Sequence, residues 1–169
     1  LEKLLEQALG DDTILDATIA SSGAAAAAIW RIRDSSVELG RATGPGVGFD
    51  ISLAIDRMEA FADAVDRGMK NIHRDAYAVV FGHAGDGNLH PLILFDDGDP
   101  DSVRRATEFG IEILEHSVRL GGSITGEHGV GVEKINQMCV QFTREELTQF
   151  HALKAAFDPQ GLLNPGKAV

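Results

Sequence analysis

The chain has one cysteine in 169 residues, Cys139. No internal disulfide can form, which points to a reducing compartment, read here as the cytoplasm. Cys139 sits in the apolar run Met138-Cys139-Val140, where it is expected to pack and to be a poor nucleophile. Basic charge is also scarce. With 15 Lys and Arg against 26 Asp and Glu, the net charge is −11. No basic stripe exists to displace counterions from phosphates, so nucleic acid is excluded as a partner. An anionic substrate must be drawn in by a local cation or a metal. Long hydrophobic runs are missing too. The longest small-apolar run, Ala24 to Trp30, is far too short to cross a bilayer, and no signal peptide is visible. An initiator methionine is absent: the chain opens at Leu1 inside an apparent helix, as a segment of a longer protein would. No repeat, linker or low-complexity tract breaks the sequence, and 44% apolar content describes one globular domain over 1–169.

Periodicity predicts a helix from Leu1 to Leu9 closed by Gly10, then a β-branched strand over Thr13–Ala20. Ser21-Ser22 caps an alanine-rich helix reaching about Arg33. Phe49 to Ile55 alternates like a half-buried strand, and Asp56 is the expected N-cap of a helix burying Met58, Phe61, Ala62, Val65 and Met69. Asp75–Gly82 and Leu89–Phe95 read as hairpin strands. A long helix with Val103, Ala106, Ile113, Leu114 and Val118 inside ends at Gly121-Gly122. A short Ser123-Ile124-Thr125 strand follows. Thr143-Arg144-Glu145-Glu146 is a capping box for a last helix ended by Asp158-Pro159. The order predicts an α+β fold, a largely antiparallel sheet with helices packed mainly on one face.

The chemistry concentrates in two places. In Gly82-His83-Ala84-Gly85-Asp86-Gly87-Asn88-Leu89-His90, Asp86-Gly87 signals a two-residue turn. Such a turn pairs His83 with His90, with Cβ atoms about 5 Å apart on one face. Two facing neutral imidazoles can share a divalent ion such as Zn²⁺, given a carboxylate and an open position. The bland alternative is two polar residues on an ordinary hairpin.

The second place is Thr125-Gly126-Glu127-His128-Gly129-Val130-Gly131. Its glycines let backbone approach a ligand closely. Glu127 can turn to a metal as the hard oxygen ligand while His128 faces the open position as a general base. Read alone, the pair is a turn with two exposed polar residues; combined with the hairpin pair, it completes a two-histidine, one-carboxylate set. Two other patterns are decoys. Gly126-x-x-Gly129-x-Gly131 lacks the βαβ unit of a dinucleotide fingerprint. Asp97-x-Asp99-x-Asp101 lacks the glycine and preceding helix of an EF-hand loop. Arg31 and Arg33, after Trp30, are either surface charges at a helix end or a bidentate clamp on a substrate carboxylate. His73, His116 and His151 have no sequence partners and read as structural or exposed.

Three motifs in this order carry a resemblance over nearly the whole chain. They are Gly82-His83-x-Gly85-Asp86-Gly87-Asn88-x-His90, then Gly126-Glu127-His128-Gly129-Val130-Gly131 with Lys134, then Phe157-Asp158-Pro159-x-Gly161-x-Leu163-Asn164-Pro165-Gly166-Lys167. The chain resembles the C-terminal domain of FAD-linked oxidases of the D-lactate dehydrogenase and glycolate oxidase large-subunit type, with D-2-hydroxyglutarate dehydrogenase a close relative. The resemblance implies a ferredoxin-like, elaborated cap domain lying over the flavin of an upstream FAD-binding domain. It makes His83, His90 and Glu127 metal ligands, His128 the catalytic base, and Asn88 and Arg33 substrate-binding residues. Asn164 is a candidate for the cofactor side. The implied reaction has a Zn²⁺-like ion polarising the hydroxyl of a 2-hydroxy acid, His128 taking a proton, and hydride passing to FAD. Hydroxyglutarate dehydrogenases carry a lysine where this chain has Gly48, and a threonine where it has Val37, which bears on the substrate alone.

Two other classes fit the residues taken by themselves. One is a metal-dependent hydrolase complete in this chain, with Glu127 or His128 activating a metal-bound water. The other is a ligand-binding module without chemistry. The chain offers no pyrophosphate-binding loop at a helix N-terminus, so FAD is expected to be held by the other domain.

Overall fold

A computed structural model describes residues 2–42, 44–69, 77–95 and 99–168, without the side chains of 36, 37 and 39–41. In chain order its helices are α1 Glu2–Gly10, α2 Gly23–Ala42, α3 Met58–Met69, α4 Ser102–Arg119, α5 Met138–Gln141 and α6 Arg144–Phe157. The strands are β1 Gly46–Gly48, β2 Ile51–Ser52, β3 Tyr77–His83 and β4 Asn88–Leu94. His73, the Asp75 start of the expected strand, the Asp96-Asp97-Gly98 part of the acidic turn and the Val37 side chain lie outside the described residues.

Leu1–Leu39 and Gly40–Val169 form two compact units. The first holds α1 and most of α2. Ser22 caps α2 by accepting the Ala25 N–H at 3.2 Å. The second holds an antiparallel sheet built around β4. β3 pairs with β4 from Tyr77↔Leu94 to His83↔Asn88. Along the opposite edge β1 pairs as Gly46↔Leu94 to Gly48↔Leu92, and β2 as Ile51↔Leu89 and Ser52↔Asn88. These two ladders share one register. The rung between them fails because Phe49 N–H donates to the Pro91 carbonyl at 2.8 Å, while proline has no N–H to return. In that register Asp50 falls opposite His90.

Strand alternation then sorts the residues. Ile51, Leu89 and Ile93 turn to one face, where Phe61 and Val65 of α3 and Ile113 and Leu114 of α4 close a buried core. Each such side chain contributes about 1.5–3 kcal/mol by leaving water. The opposite face carries Asp50, Phe81, His83, Asn88 and His90. The result is an α+β fold with an antiparallel sheet, and α3 and α4 pack on one side of it. α6 opens with a complete capping box between Thr143 and Glu146.

Several local expectations fail for identifiable reasons. The hairpin turn spans Ala84–Gly87 and pairs His83 with Asn88 and His90 with Phe81, not His83 with His90. The Gly87 backbone is diverted to Leu53, whose N–H donates to the Gly87 carbonyl at 2.8 Å. A shift of two residues preserves the face, so both histidines still point the same way. No strand forms at Thr13–Ala20, where the Asp11 carboxylate instead takes the Thr13 N–H and hydroxyl in a local turn. The Phe49–Ile55 strand shortens to Ile51–Ser52, and Asp56 lies inside a 3₁₀ turn, Ile55–Arg57, with no side-chain cap. Ser123 makes one bridge, to Ser52, and no strand. α2 continues past Arg33 to Ala42. Val103, in the first turn of α4, is exposed, and Phe109 and Ser117 are buried in its stead. Cys139 is exposed, with its thiol on the Asn136 carbonyl.

Two outcomes follow from this packing. Gly87 has φ +71°, and a Cβ there would lie 1.8 Å from the Leu53 carbonyl oxygen. Gly87→Ala is therefore expected to cost about 2 kcal/mol or more, read as a lowered midpoint in thermal or urea denaturation. After α6, the buried Asp158 carboxylate accepts from Lys154 Nζ at 2.8 Å, Leu163 N at 2.8 Å and Leu162 N at 2.9 Å. The Lys154 hydrogen bond, then the Leu163 amide, hold its pKa down at about 2 from an ordinary 3.8. A depressed carboxylate stabilises the fold above its unfolded pKa and loses that effect as pH falls through the folded one. Exchange protection of the Leu162 and Leu163 amides is thus expected to collapse as pH drops from 3.8 through about 2. Asp158→Asn should weaken that protection at neutral pH as well.

Candidate functional site

The polar face of the sheet places Asp50, His90 and Phe81 in one cross-strand row, with Ser52, Asn88 and His83 in the next. The His90 ring is confined on three sides. Phe81 lies 5.5 Å away by ring centroid, His83 meets it edge-on at 5.6 Å, and His128 stacks on it at 5.4 Å with planes 22° apart.

His128 reaches this position because Asp50 holds its loop. The fully buried Asp50 carboxylate takes, on Oδ2, the Thr125 hydroxyl at 3.0 Å and the backbone N–H groups of Gly126, Glu127 and His128 at 2.8, 3.0 and 2.9 Å. Oδ1 takes the Glu127 N–H at 3.2 Å. Gly126 is required for this approach, since a Cβ there would lie 2.7 Å from both Asp50 Oδ1 and Asn88 Nδ2. Lys134, also buried, donates Nζ to the Asp50 backbone carbonyl at 2.8 Å and stands 3.7 Å from Oδ2.

Burial is the strongest influence on Asp50 and pushes its pKa up. The amides of His128 and Gly126, the Thr125 hydroxyl and Lys134 together outweigh it, so the carboxyl ends below the usual range. Lys134 moves down as well, because burial outweighs the pull of Asp50 and Glu133. Loop amides, more than the ammonium, hold the carboxylate's charge. Burial likewise lowers His90, against the pull of Asp50 and Glu127, and keeps the imidazole neutral near pH 7.

Above the histidines, Glu127 Oε1 lies 3.2 Å from His90 Nε2, 3.8 Å from His83 Nε2 and 3.9 Å from His128 Nε2. One ligand atom each from His83, His90 and Glu127 falls within 4.8 Å of the others. Donors bound tetrahedrally at Zn²⁺ distances stand roughly 3.3 Å apart, so little movement separates this set from a coordination shell. Asp50, His90 and His128 form a second converging group. It is the poorer one, because the Asp50 carboxylate is fully buried and already committed to the Thr125–His128 loop, whereas Glu127 is accessible. Two imidazoles and one accessible carboxylate, with His128 beside them, suit a borderline-soft divalent ion with an open position.

The remaining predicted residues fall in different surroundings. Asn88 is buried at the start of β4, and its Oδ1 accepts no hydrogen bond from the described residues. Arg33 is on α2 in the first unit, exposed and ion-paired with Asp34 at 3.3 Å. Asn164 is exposed in the C-terminal segment with φ +48°. His116 stacks on Phe61 at 6.3 Å, and His151 is exposed. Asp50 is the functional neighbour that the sequence hides, standing as one polar step in the alternating stretch from Phe49 to Ile55. The signal that could have found it is an acidic residue at an edge position whose partner across β4 is a histidine.

Comparison with known proteins adds the ancestry. The family described as "FAD linked oxidases, C-terminal domain" matches residues 1–168. Glycolate oxidase subunit GlcD of Escherichia coli (strain K12) is 67% identical over 87 residues, 52% of this chain and 17% of that protein. Its counterpart in Bacillus subtilis (strain 168) is 47% identical over 93 residues, 55% of this chain and 20% of that protein. Mitochondrial D-2-hydroxyglutarate dehydrogenase of Danio rerio is 28% identical over 169 residues, the whole of this chain and 31% of that protein. The chain therefore spans less than a third of the length of each of these relatives. Matched by one family from its first residue almost to its last, the chain belongs to the FAD-linked oxidases, as a C-terminal domain of that family.

Proposed function

We propose that this chain is the substrate- and metal-binding domain of a flavin-dependent D-2-hydroxy-acid dehydrogenase or oxidase, working beside an FAD-binding domain elsewhere in the protein. The observation that carries this reading is the convergence of His83, His90 and Glu127 on one point beside His128. The three residues hold a divalent ion, most suitably Zn²⁺. When bound, the ion would supply Lewis acidity at the substrate's oxygens, and FAD would supply the hydride acceptor for C2. His128 removes the hydroxyl proton, Asn88 lines the substrate pocket and Arg33 pairs with the carboxylate. Asn164 belongs to the cofactor side.

The named activity of GlcD, glycolate oxidation, favours a small 2-hydroxy acid. Gly48 fits that choice, because it offers no second cation for a longer diacid. α6 supports a covering domain: it buries none of its residues and leaves Leu153 and Phe157 largely exposed, near the exposed Leu162 and Leu163. Among the described residues no helix is long and apolar enough to cross a membrane, and the lone cysteine is in keeping with a cytoplasmic setting.

With the FAD-binding domain attached, His128→Ala is expected to lower kcat by about 10²–10⁴ while metal stays bound. Glu127→Ala should lose metal and turnover together, because two neutral imidazoles remain to hold a divalent ion. Arg33→Ala should raise KM for the hydroxy acid. Metal content measured beside turnover checks the division of labour, and metal lost from His128→Ala but kept by Glu127→Ala reverses it. Ester or phosphoester turnover by the isolated chain with Zn²⁺ would instead make it a hydrolase.

A further inference from the structure

We propose that Asp50 is a positioning residue that sets both halves of the metal site at once, by fixing the ring tautomer of His90 and the course of the Glu127-His128 loop. This rests on the metal reading above but concerns groups outside the ligand set.

The first half is the loop. Three consecutive amides, Gly126 to His128, converge on one carboxylate. Their peptide planes, and so the starting directions of the Glu127 and His128 side chains, are set by a group that is itself immobile. Asp50 is fully buried, its backbone carbonyl is held by Lys134, and the flanking Ile51 is paired to Leu89.

The second half is the imidazole. His90 turns Nε2 to Glu127 at 3.2 Å and Nδ1 to Asp50 Oδ1 at 3.7 Å. Oδ2 is filled by four donors, whereas Oδ1 takes only the Glu127 N–H. Oδ1 is therefore the oxygen with acceptor capacity left, and it faces the ring. A carboxylate can only accept, so Asp50 favours the tautomer with the proton on Nδ1, against Glu127, which draws the proton to Nε2 until a metal ion takes that side. Protonation on Nδ1 leaves the Nε2 lone pair free to ligate, the arrangement in which a carboxylate backs a metal-binding histidine. Glu127 is placed through its backbone and His90 through its ring, by the two oxygens of one side chain.

Asp50→Asn separates this role from bulk and burial. The amide oxygen must take the Oδ2 position to serve the loop donors, which puts the NH₂ where Oδ1 was. That group donates to Nδ1 and so drives the proton to Nε2, the atom the metal needs bare. The test uses ¹⁵N-histidine NMR of the metal-free chain carrying Glu127→Ala, which removes the competing carboxylate at Nε2, at mildly alkaline pH, with Zn²⁺ titration calorimetry of the chain with Glu127 intact alongside. The expected result is His90 as the Nδ1–H tautomer in Glu127→Ala and as Nε2–H once Asp50→Asn is added, with Zn²⁺ bound about 10–100-fold more weakly by Asp50→Asn than by the unaltered chain. His90 protonated on Nε2 in Glu127→Ala overturns the proposal, and does so even if Asp50→Asn fails to fold. A folded Asp50→Asn variant with unchanged tautomer and unchanged Zn²⁺ affinity overturns it too. If Glu127→Ala shows the Nδ1–H tautomer but the unaltered chain binds no Zn²⁺, the assignment of Asp50 stands and the metal reading falls.

Discussion

The site depends on one buried charge. Ionised Asp50 cannot stay inside a protein unless its desolvation is offset, and here the offset comes mainly from peptide N–H groups. That requirement shapes the surroundings. A loop must fold so that three successive amides point inward, a glycine must sit where the loop passes closest, and a lysine must be buried beside it. All three are met by the segment from Thr125 to Lys134. The glycine-rich loop is thus fixed in place by its hydrogen bonds despite the conformational freedom of its residues.

The position of Asp50 depends in turn on β4. Pro91 removes one rung from the ladder with the 46–52 segment without shifting its register. Asp50 therefore stands across from His90 in a stretch where the edge strand is locally unpaired, and its carboxylate can meet a loop arriving from a distant part of the chain. On the far side of β4, β3 keeps full pairing and carries His83 and Phe81. Core packing of Ile51, Leu89 and Ile93 against α3 and α4 pins the opposite face. A one-residue slip in any strand would turn its functional residues into that core.

Much of this was legible in the sequence, and the failures have a common cause. α3 follows from apolar spacing, α4 from apolar spacing and its glycine stop, and α6 from a capping box that acts within a few residues. The facing of His83 and His90 survived a wrong register, because strand faces repeat every two residues and the error was two. What could not be read was tertiary hydrogen bonding. Gly87 left its expected hairpin for the Leu53 backbone, and Asp50 paired with amides more than seventy residues away. Asp11 with Thr13 made a turn where β-branched residues suggested a strand. Cys139 lies in an apolar run yet is exposed, since the run falls on the four-residue helix α5, which buries Met138 and turns its neighbours outward.

The proposed division of tasks between Glu127 and His128 is hard to arrange, because neighbouring side chains share one backbone and move together. Here the arrangement depends on unequal restraint. Asp50 holds both amides, so the difference lies in the side chains: Glu127 is half-exposed with its oxygen amid three imidazoles, while the His128 ring stacks on His90. The carboxylate thus has room to adjust to an ion, whereas the imidazole beside it is held parallel to a ring fixed by the sheet. A ligand benefits from such adjustment, since coordination itself supplies the final geometry. A proton acceptor has no such correction available and must already be in place when the substrate binds. The stiffer of the two positions is the one suited to the base.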